Sequence, residues 1–231
     1  MRFFAVILSV AVSFATAVGM CVKVLNEQAV SAFSSGMRIV VDAGHGGIDG
    51  GVSGRMSGVK ESDINLSIAL LLYEELTDIG FEVTLTRKTE AGLYNTTAKG
   101  FKKRDMQKRK EIIEEAQPDF IVSVHQNFYP SASARGAQVF YSKKTKKSMP
   151  FAKGVQDSLN ALYAEEGVKE RKITAAEYFM LECYPCPSIL VECGFLSNAK
   201  DEALLCSSGW KKRLAQEIAG GVLAYFEDNA T

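Results

Sequence analysis

The sequence predicts a single α/β domain in which a largely parallel, twisted sheet is covered by helices on both faces. Apolar strand-like segments alternate along the chain with segments of helical periodicity, as they do in parallel sheets with crossover helices. Of the 231 residues, 47% are hydrophobic and 23% are charged, which is the composition of an ordinary globular protein. No repeat or second domain is evident in the roughly 200 residues beyond the N-terminal segment, so we expect one core.

The first 25 residues are predicted to be a signal peptide or a membrane anchor. Arg2 precedes an almost uninterrupted apolar run to Val22, and Ala15-Thr16-Ala17 offers a cleavage site of small residues. The run of about 20 residues could also span a bilayer if it is not cleaved. Residues 26–36 form a polar linker, and residues 37–228 form the predicted folded domain. We therefore expect an exported protein whose N-terminal segment contacts the membrane.

The pattern of apolar residues predicts the individual helices and strands of the domain. Helical periodicity is clearest in Asp63–Ile79. Apolar residues recur there at 64, 68, 71, 72, 76 and 79. Ser62 or Asp63 is the expected N-cap, and Gly80 suits the left-handed position after the end. Strands are predicted at 38–42, 81–87, 120–125, 137–142, 178–181 and 188–195, and further helices at 102–116, 149–163 and 209–226.

Charge and cysteine usage exclude some functions. Lys+Arg and Asp+Glu both number 27, so no nucleic-acid partner is expected. Cys183 and Cys186 form a CxxC that precedes a strand and is flanked by prolines, whereas a redox CxxC opens a helix after a strand. A loop thiol pair is therefore favoured over a redox centre, and a disulfide is left open.

The stretch IVVDAGHGGIDGG (residues 39–51) begins within the first predicted strand and becomes glycine-rich after it. Dinucleotide binding needs a third glycine where this chain has Asp49, and no helix follows directly. A P-loop needs Gly-Lys-Ser/Thr, which is missing. A phosphate-binding loop is therefore excluded on spacing.

The two histidines of the chain both follow predicted strands. His45 comes after the strand 38–42, and His125 ends the strand 120–125. Sites in open α/β sheets form outside the carboxyl ends of strands, so the two side chains can converge there. Either histidine alone is more simply a structural residue, but both together indicate a metal site.

Two carboxylates could complete such a site. A catalytic zinc ion takes three protein ligands, often two His and one carboxylate, and Glu61 is the candidate. Taken alone, Glu61 is more simply a first-turn acid favoured by the helix dipole. Glu192 lies in the apolar strand ILVECGF, where a carboxylate is costly unless it has a function or hydrogen-bonds the backbone. Beside a metal it could accept a proton from water.

Four motifs together carry a family resemblance. VVDAGHGGIDGG, KESDIN, SVHQN and VECGFLSN occur in this order. Over about residues 37–226 the chain resembles the zinc-dependent N-acetylmuramoyl-L-alanine amidases of the amidase-3 family. RGAQVFYS (135–142) is most similar to the spore-cortex, CwlD-type branch. Residues 37–228 are thus identified as an amidase-3 catalytic domain.

The resemblance implies a function and assigns roles. Zn²⁺ would be held by His45, Glu61 and His125, and Glu192 would be the catalytic acid/base. The substrate would be the peptidoglycan amide between the lactyl group of muramic acid and L-alanine. In the spore branch this cleavage precedes formation of muramic-δ-lactam, which germination enzymes recognise, and it takes place between the forespore membranes.

Supporting roles and a partner are also expected. Asp42 is expected to hold the glycine loop or an imidazole, and Asn127 to orient His125 or the peptide unless it serves only a turn. Arg87 and Arg109 are interpreted first as structural ion pairs. Because the three zinc ligands come from separate elements, we hypothesise a regulatory or activator protein that stabilises the site.

Two other functions compete. Another zinc peptidase would commonly present ligands as H-x-x-E, but residue 48 is Ile48 and Glu61 lies 16 residues after His45. A non-catalytic wall-binding scaffold would not need all four polar residues of the predicted site.

Overall fold

Six strands form one sheet in the computed structural model, which describes residues 36–229. The strands are β1 (Arg38–Ala43), β2 (Glu82–Leu85), β3 (Phe120–Asn127), β4 (Gln138–Tyr141), β5 (Thr174–Ala175) and β6 (Ser188–Phe195). Their order across the sheet is β2-β1-β3-β6-β4-β5. Neighbours pair in parallel except β4 and β6, which pair antiparallel. The predicted largely parallel sheet is therefore confirmed.

Six helices in the described part of the chain cover the two faces of this sheet. They are α1 (Glu61–Ile79), α2 (Phe101–Ala116), α3 (Ser148–Ala164), α4 (Phe179–Glu182), α5 (Ala199–Cys206) and α6 (Ser208–Asn229). Alternate strand residues face opposite sides. Val41 and Val122 join the large core with α1, α3 and α6, whereas Ile121 packs with Ile113 of α2 and Met180 of α4. The predicted coverage of both faces is confirmed.

Helix α1 carries the apolar stripe that its periodicity predicts, since Ile64, Ile68, Leu72 and Leu76 are buried. Gly80 has φ 107° and closes the helix as expected. The predicted cap at Ser62 or Asp63 is wrong, because α1 begins at Glu61 and no side chain caps it. Carbonyl groups of the preceding loop satisfy its first N–H groups instead. The N–H of Glu61 donates to Val52 O at 2.9 Å, and that of Ser62 donates to Gly50 O at 3.1 Å.

Other segments differ from the expectations. The predicted strand 178–181 is wrong, because Phe179–Glu182 is a short helix. Tyr178 and Phe179 are exposed and Met180 and Leu181 are buried, whereas a half-buried strand would alternate residue by residue. An apolar run of four residues is too short to distinguish a strand from a helix. Strand β5 and helix α5 were not predicted, although Asn198 caps α5 by accepting hydrogen bonds from two backbone N–H groups.

The N-terminal predictions, a signal peptide or anchor at 1–25 and a linker at 26–36, lie outside the described residues apart from Gly36. In residues 36–229, no helix combines the length and the apolar composition that crossing a membrane requires.

Helices α3 and α6 approach closely where two glycines meet. A Cβ atom on Gly221 would lie 2.5 Å from Val155 Cα, and a Cβ atom on Gly154 would lie 2.8 Å from Gly221 O. At the neighbouring Gly220, no atom beyond its chain neighbours and the local backbone of its own helix lies within 4 Å of the position that a Cβ would take.

We expect Gly221→Ala to destabilise the protein, because the added methyl group meets backbone atoms that cannot move aside. Gly220→Ala is the matched control and should raise the free energy of unfolding by about 0.5–1 kcal/mol through helix propensity alone. Urea unfolding of both variants measures the difference. Equal effects of the two substitutions would show that the helix contact is not tight.

Candidate metal centre

Three neighbouring strands bring the predicted site residues to one end of the sheet, the end at which the parallel strands finish. His45 follows β1, His125 lies near the end of β3, and Glu192 lies in β6 directly opposite His125 in the register. Because β1, β3 and β6 are adjacent, the two imidazoles and the carboxylate share this end. Glu61 reaches this end from the first turn of α1.

The glycine loop lets His45 approach His125. His45 has φ 60°, a left-handed conformation that few residues with a side chain adopt. A Cβ atom on Gly44 would collide with the ring of His125. The two histidine rings lie 5.1 Å apart between centroids, edge to face. Glycine at position 44 is therefore required for the two imidazoles to be neighbours.

Glu61 lies between the two histidines. Its Oε1 atom is 2.9 Å from His125 Nδ1 and 3.3 Å from His45 Nε2. The donor atoms that the three residues offer all lie within 4.8 Å of one another. Ligand atoms of a tetrahedral zinc ion, at about 2.0–2.1 Å from the metal, would be about 3.3 Å apart. This group of side chains can therefore hold a metal ion.

Two residues that the sequence reasoning did not select position Glu61. Asn65 Nδ2 donates to Glu61 Oε1 at 3.3 Å and to Gly44 O at 3.2 Å. The backbone N–H of Gln126 donates to the same Oε1 at 3.1 Å, and its side chain donates to Asn65 Oδ1 at 3.1 Å. Asn65 lies four residues after Glu61, so helical spacing was a signal that could have identified it.

The charges in this group favour binding of a cation. Burial by itself would raise the pKa of Glu61, but hydrogen bonds and charge from His125 and His45 outweigh it and lower that pKa. Burial would lower the pKa of His45, but Glu61 and then Asp49 outweigh it and raise that pKa. Asp49 Oδ2 lies 3.2 Å from His45 Nδ1 and fixes the orientation of the ring.

Among the described residues, Asp42 hydrogen-bonds Arg109, Ser123 and Thr86 and neither imidazole. It is fully buried and accepts hydrogen bonds from Arg109 Nη1 at 2.5 Å and from Ser123 Oγ at 2.5 Å. Arg109 also donates to the carbonyl groups of Ala43 and His45, at 2.7 and 2.5 Å. The predicted ion pair of Arg109 is confirmed, and Asp42 acts on the His45 loop through it.

Arg87 and Asn127 both take part in hydrogen bonds with backbone groups. The predicted ion pair of Arg87 is wrong within the described residues, because its guanidinium donates to backbone carbonyls, including Ala43 O at 2.8 Å and Ser62 O at 2.8 Å. Arg87 thereby ties β1 to the start of α1. Asn127 accepts a hydrogen bond from the N–H of Leu196 through its carbonyl oxygen, and a role of its side chain stays a prediction.

Glu192 borders a cleft of about 410 Å³ that Gly44, both histidines, Tyr178 and Phe179 also line. Its Oε2 atom is shielded from solvent and has no hydrogen-bond partner in the described part of the chain. Burial raises the pKa of Glu192 to about 7, with His125 opposing and Glu61 adding to the shift. A carboxyl group that titrates near neutral pH suits proton transfer.

The two CxxC cysteines are not among the residues that line the cleft. Cys183 and Cys186 are both free thiols, so the disulfide left open above is absent. Burial raises the pKa of Cys183 to about 11 and that of Cys186 to about 12. Such thiols are poor nucleophiles at neutral pH, in agreement with a loop thiol pair.

The fold and the site together define a class of protein. It is an α/β protein with a His-Glu-His group at the carboxyl ends of adjacent parallel strands, beside an unpaired carboxyl group. This arrangement is typical of hydrolases that use a metal ion.

Comparison with known proteins identifies the family. The N-acetylmuramoyl-L-alanine amidase family model (Amidase_3) matches residues 39–224. The germination-specific N-acetylmuramoyl-L-alanine amidase of Bacillus subtilis is 32% identical over 197 residues, covering 84% of this chain and 81% of that protein. The chain belongs to the N-acetylmuramoyl-L-alanine amidase family and is an enzyme that acts on peptidoglycan.

Two further relatives differ in how much of their own length the match covers. The CwlD amidase of Clostridioides difficile, solved in complex with the GerS lipoprotein, is 34% identical with a TM-score of 0.78, covering 83% of this chain and 99% of that one. LytC of B. subtilis is 29% identical over 83% of this chain, but the match covers only 36% of LytC.

We expect Asp42→Asn to lower the free energy of unfolding by about 2 kcal/mol at neutral pH, because it removes one of the two carboxylates, Asp42 and Asp105, that pair with the buried Arg109 cation. Burial by itself would raise the pKa of Asp42, but the Arg109 charge, the hydrogen bonds from Ser123 and Thr86 and the charge of His125 together outweigh it and lower this pKa from 3.8 to about 2. Its contribution is therefore full above pH 3.8 and is lost as the pH falls through about 2. Urea unfolding from pH 7 to pH 2, with a chelator present, measures the difference.

Asp157→Asn, at an exposed position of α3, is the control and should change stability little across this range. A difference between Asp42→Asn and the unsubstituted protein that does not shrink at low pH would contradict the assignment.

Proposed function

We propose that the enzyme uses zinc to hydrolyse the amide bond between the lactyl group of N-acetylmuramic acid and L-alanine of the stem peptide. His45, Glu61 and His125 would hold the zinc ion, and Glu192 would transfer the proton. One observation carries the proposal: the shielded, unpartnered Oε2 of Glu192 borders the same cleft as the two histidines.

The donor set agrees with zinc. Two imidazole nitrogens and one carboxylate oxygen are a ligand set of catalytic zinc sites, which leave a further position open. Bound zinc supplies a Lewis acid for the scissile carbonyl group and lowers the pKa of water. The hydrogen bonds of Asn65 and Gln126 to Glu61 are the kind of support that orients metal ligands.

Glu192 can perform both proton transfers of the reaction. Its carboxylate accepts a proton from the attacking water as the C–O bond forms. The resulting carboxylic acid then gives this proton to the alanine nitrogen as the C–N bond breaks. The products are a lactyl carboxylate and a free amine. One carboxyl group can act first as base and then as acid, because the proton that it accepts in the first step is the proton that it returns in the second.

A role in maturation of the spore cortex is the proposed biological setting. The similarity to a germination-specific amidase and to the CwlD amidase supports this role. The enzyme would then be exported through the segment 1–25, as a signal peptide or a membrane anchor. It would act between the forespore membranes, where removal of the peptide precedes formation of muramic-δ-lactam.

A regulatory protein partner is proposed as well. The metal ligands come from a loop, a helix and a strand, so their relative positions depend on several elements. The CwlD neighbour was solved in complex with a lipoprotein, which supports a partner of that kind for this chain. The isolated protein should hold less than one zinc ion per chain by metal analysis. Full occupancy together with full activity would contradict the need for a partner.

Product analysis tests the proposed reaction against the competing peptidase. Purified peptidoglycan treated with the enzyme should give peptide-free glycan and intact stem peptides that begin with alanine, and a chelator should stop the reaction. Glu192→Gln should keep the metal content but reduce kcat by about 10²–10⁴-fold, because it removes the proton-transferring group.

Glu177→Gln, an exposed position outside the cleft, is the matched control and should cleave normally. Shortened stem peptides would indicate a peptidase instead. Unreduced cleavage by Glu192→Gln would remove Glu192 from the mechanism, and wall binding without any cleavage would indicate the non-catalytic scaffold.

A further inference from the structure

A second cavity, of about 560 Å³, lies one strand away from the catalytic cleft. Two loops enclose it: the segment 133–135 before β4 and the segment 167–172 before β5, with Gln138 and Thr174 completing the lining. We call it the cationic cavity. Because β4 runs antiparallel to β6, these loops lie at the sheet edge where β3 and β6 end.

The strand register fixes the relation between the cationic cavity and the cleft. Gln138 is directly opposite Glu192 in the β4–β6 pair, so the two side chains lie on the same face of the sheet. Neighbouring strands are about 4.8 Å apart, so His125, Glu192 and Gln138 follow one another at this spacing. Glu192 lines the cleft and Gln138 lines the cationic cavity.

The charge of the cavity is strongly positive. Its lining contains Arg135, Lys169, Arg171 and Lys172 against a single acidic residue, Glu170. Arg135 is paired with Asp201, with 2.8 Å between Nε and Oδ1. Among the residues that the structure describes, no carboxylate forms an ion pair with the other three cations.

Arg171 is held in place by neutral groups. Its Nε donates to Arg135 O at 2.7 Å, its Nη1 donates to Gln138 Oε1 at 2.9 Å, and its guanidinium lies 4.6 Å from the ring centre of Phe195. Burial lowers the pKa of Arg171, which Asp201 opposes, but a guanidinium stays protonated in proteins. A fixed, partly desolvated guanidinium without a carboxylate partner is well suited to bind an anion.

In the proposed substrate, anionic groups lie only on the peptide side of the scissile bond. The sugars near the scissile bond are uncharged, whereas the stem peptide carries free carboxylates beyond L-alanine. Each extended residue spans about 3.5 Å, so one or two residues cover the distance of one strand spacing. We propose that the cationic cavity binds a free carboxylate of the stem peptide and so directs the leaving peptide across Gln138. This inference rests on the proposed amidase function.

The test compares two substrates and three variants. Glycan strands with free stem-peptide carboxylates are compared with strands in which these groups are carboxamides. Lys169→Gln/Lys172→Gln removes two exposed charges without touching the contacts of Arg171. Glu170→Gln removes the opposing charge. Lys88→Gln is the matched control, because Lys88 is exposed just after β2. Strands β2 and β5 are the two outermost strands of the sheet, so Lys88 lies on the far side of the sheet from the cationic cavity.

We expect the unsubstituted enzyme to have a KM about three- to tenfold lower for the carboxylate substrate, at similar kcat. The double lysine variant should lose this preference, Glu170→Gln should increase it, and Lys88→Gln should keep it. Equal KM values for the two substrates, or an unchanged preference in the double variant, would overturn the inference while leaving the amidase function intact.

Binding of free stem peptide, in carboxylate and carboxamide forms, is measured calorimetrically on the same proteins. This measurement reports on the cavity even if neither substrate is cleaved at the proposed amide, a result that would contradict the amidase function alone. Equal affinity for the two peptides would overturn the inference independently of any cleavage.

Discussion

The buried ion pair between Asp42 and Arg109 is the interaction on which the site depends most. An ion pair removed from water is stable only when its remaining hydrogen-bonding groups are satisfied. Here Arg109 also bonds Asp105 and the carbonyl groups of Ala43 and His45. Because the cation takes carbonyl groups of the loop as partners, the loop that carries His45 is tied to the centre of the sheet. The strained backbone at His45 is thus held by charges within the fold.

Around this anchor, the three side chains of the proposed metal site come from different elements of the fold. His125 belongs to a central strand, and Glu61 belongs to a helix whose first N–H groups are satisfied by loop carbonyls. The beginning of that helix therefore depends on the loop between His45 and Glu61. The loop positions His45 at its start and determines where the helix that carries Glu61 begins.

The sequence was sufficient for five of the six strands, for most helices and for the residues that meet where the parallel strands end. His45 and His125 could be predicted as neighbours, because the carboxyl ends of neighbouring parallel strands lie at the same end of the sheet whatever the details of packing. Asn65 and Gln126 could not be predicted as site residues, because their role depends on contacts with Glu61 that only the tertiary structure creates. The helix at Phe179–Glu182 was missed because four apolar residues carry too little periodicity to separate helix from strand. That error also concealed Tyr178 and Phe179 as walls of the cleft.

The pairing of β6 with β3 has a consequence for the way in which the enzyme folds. Glu192 faces the cleft, whereas its neighbours Val191 and Cys193 are fully buried in the large core. A slip of one residue would turn every side chain of the strand to the opposite face, placing a carboxylate in the core and an apolar residue in the cleft. Such a chain would lose its core packing and the proposed catalytic group, Glu192, together. Correct folding and catalytic competence are therefore coupled, and a well-packed but misregistered, inactive form should not accumulate.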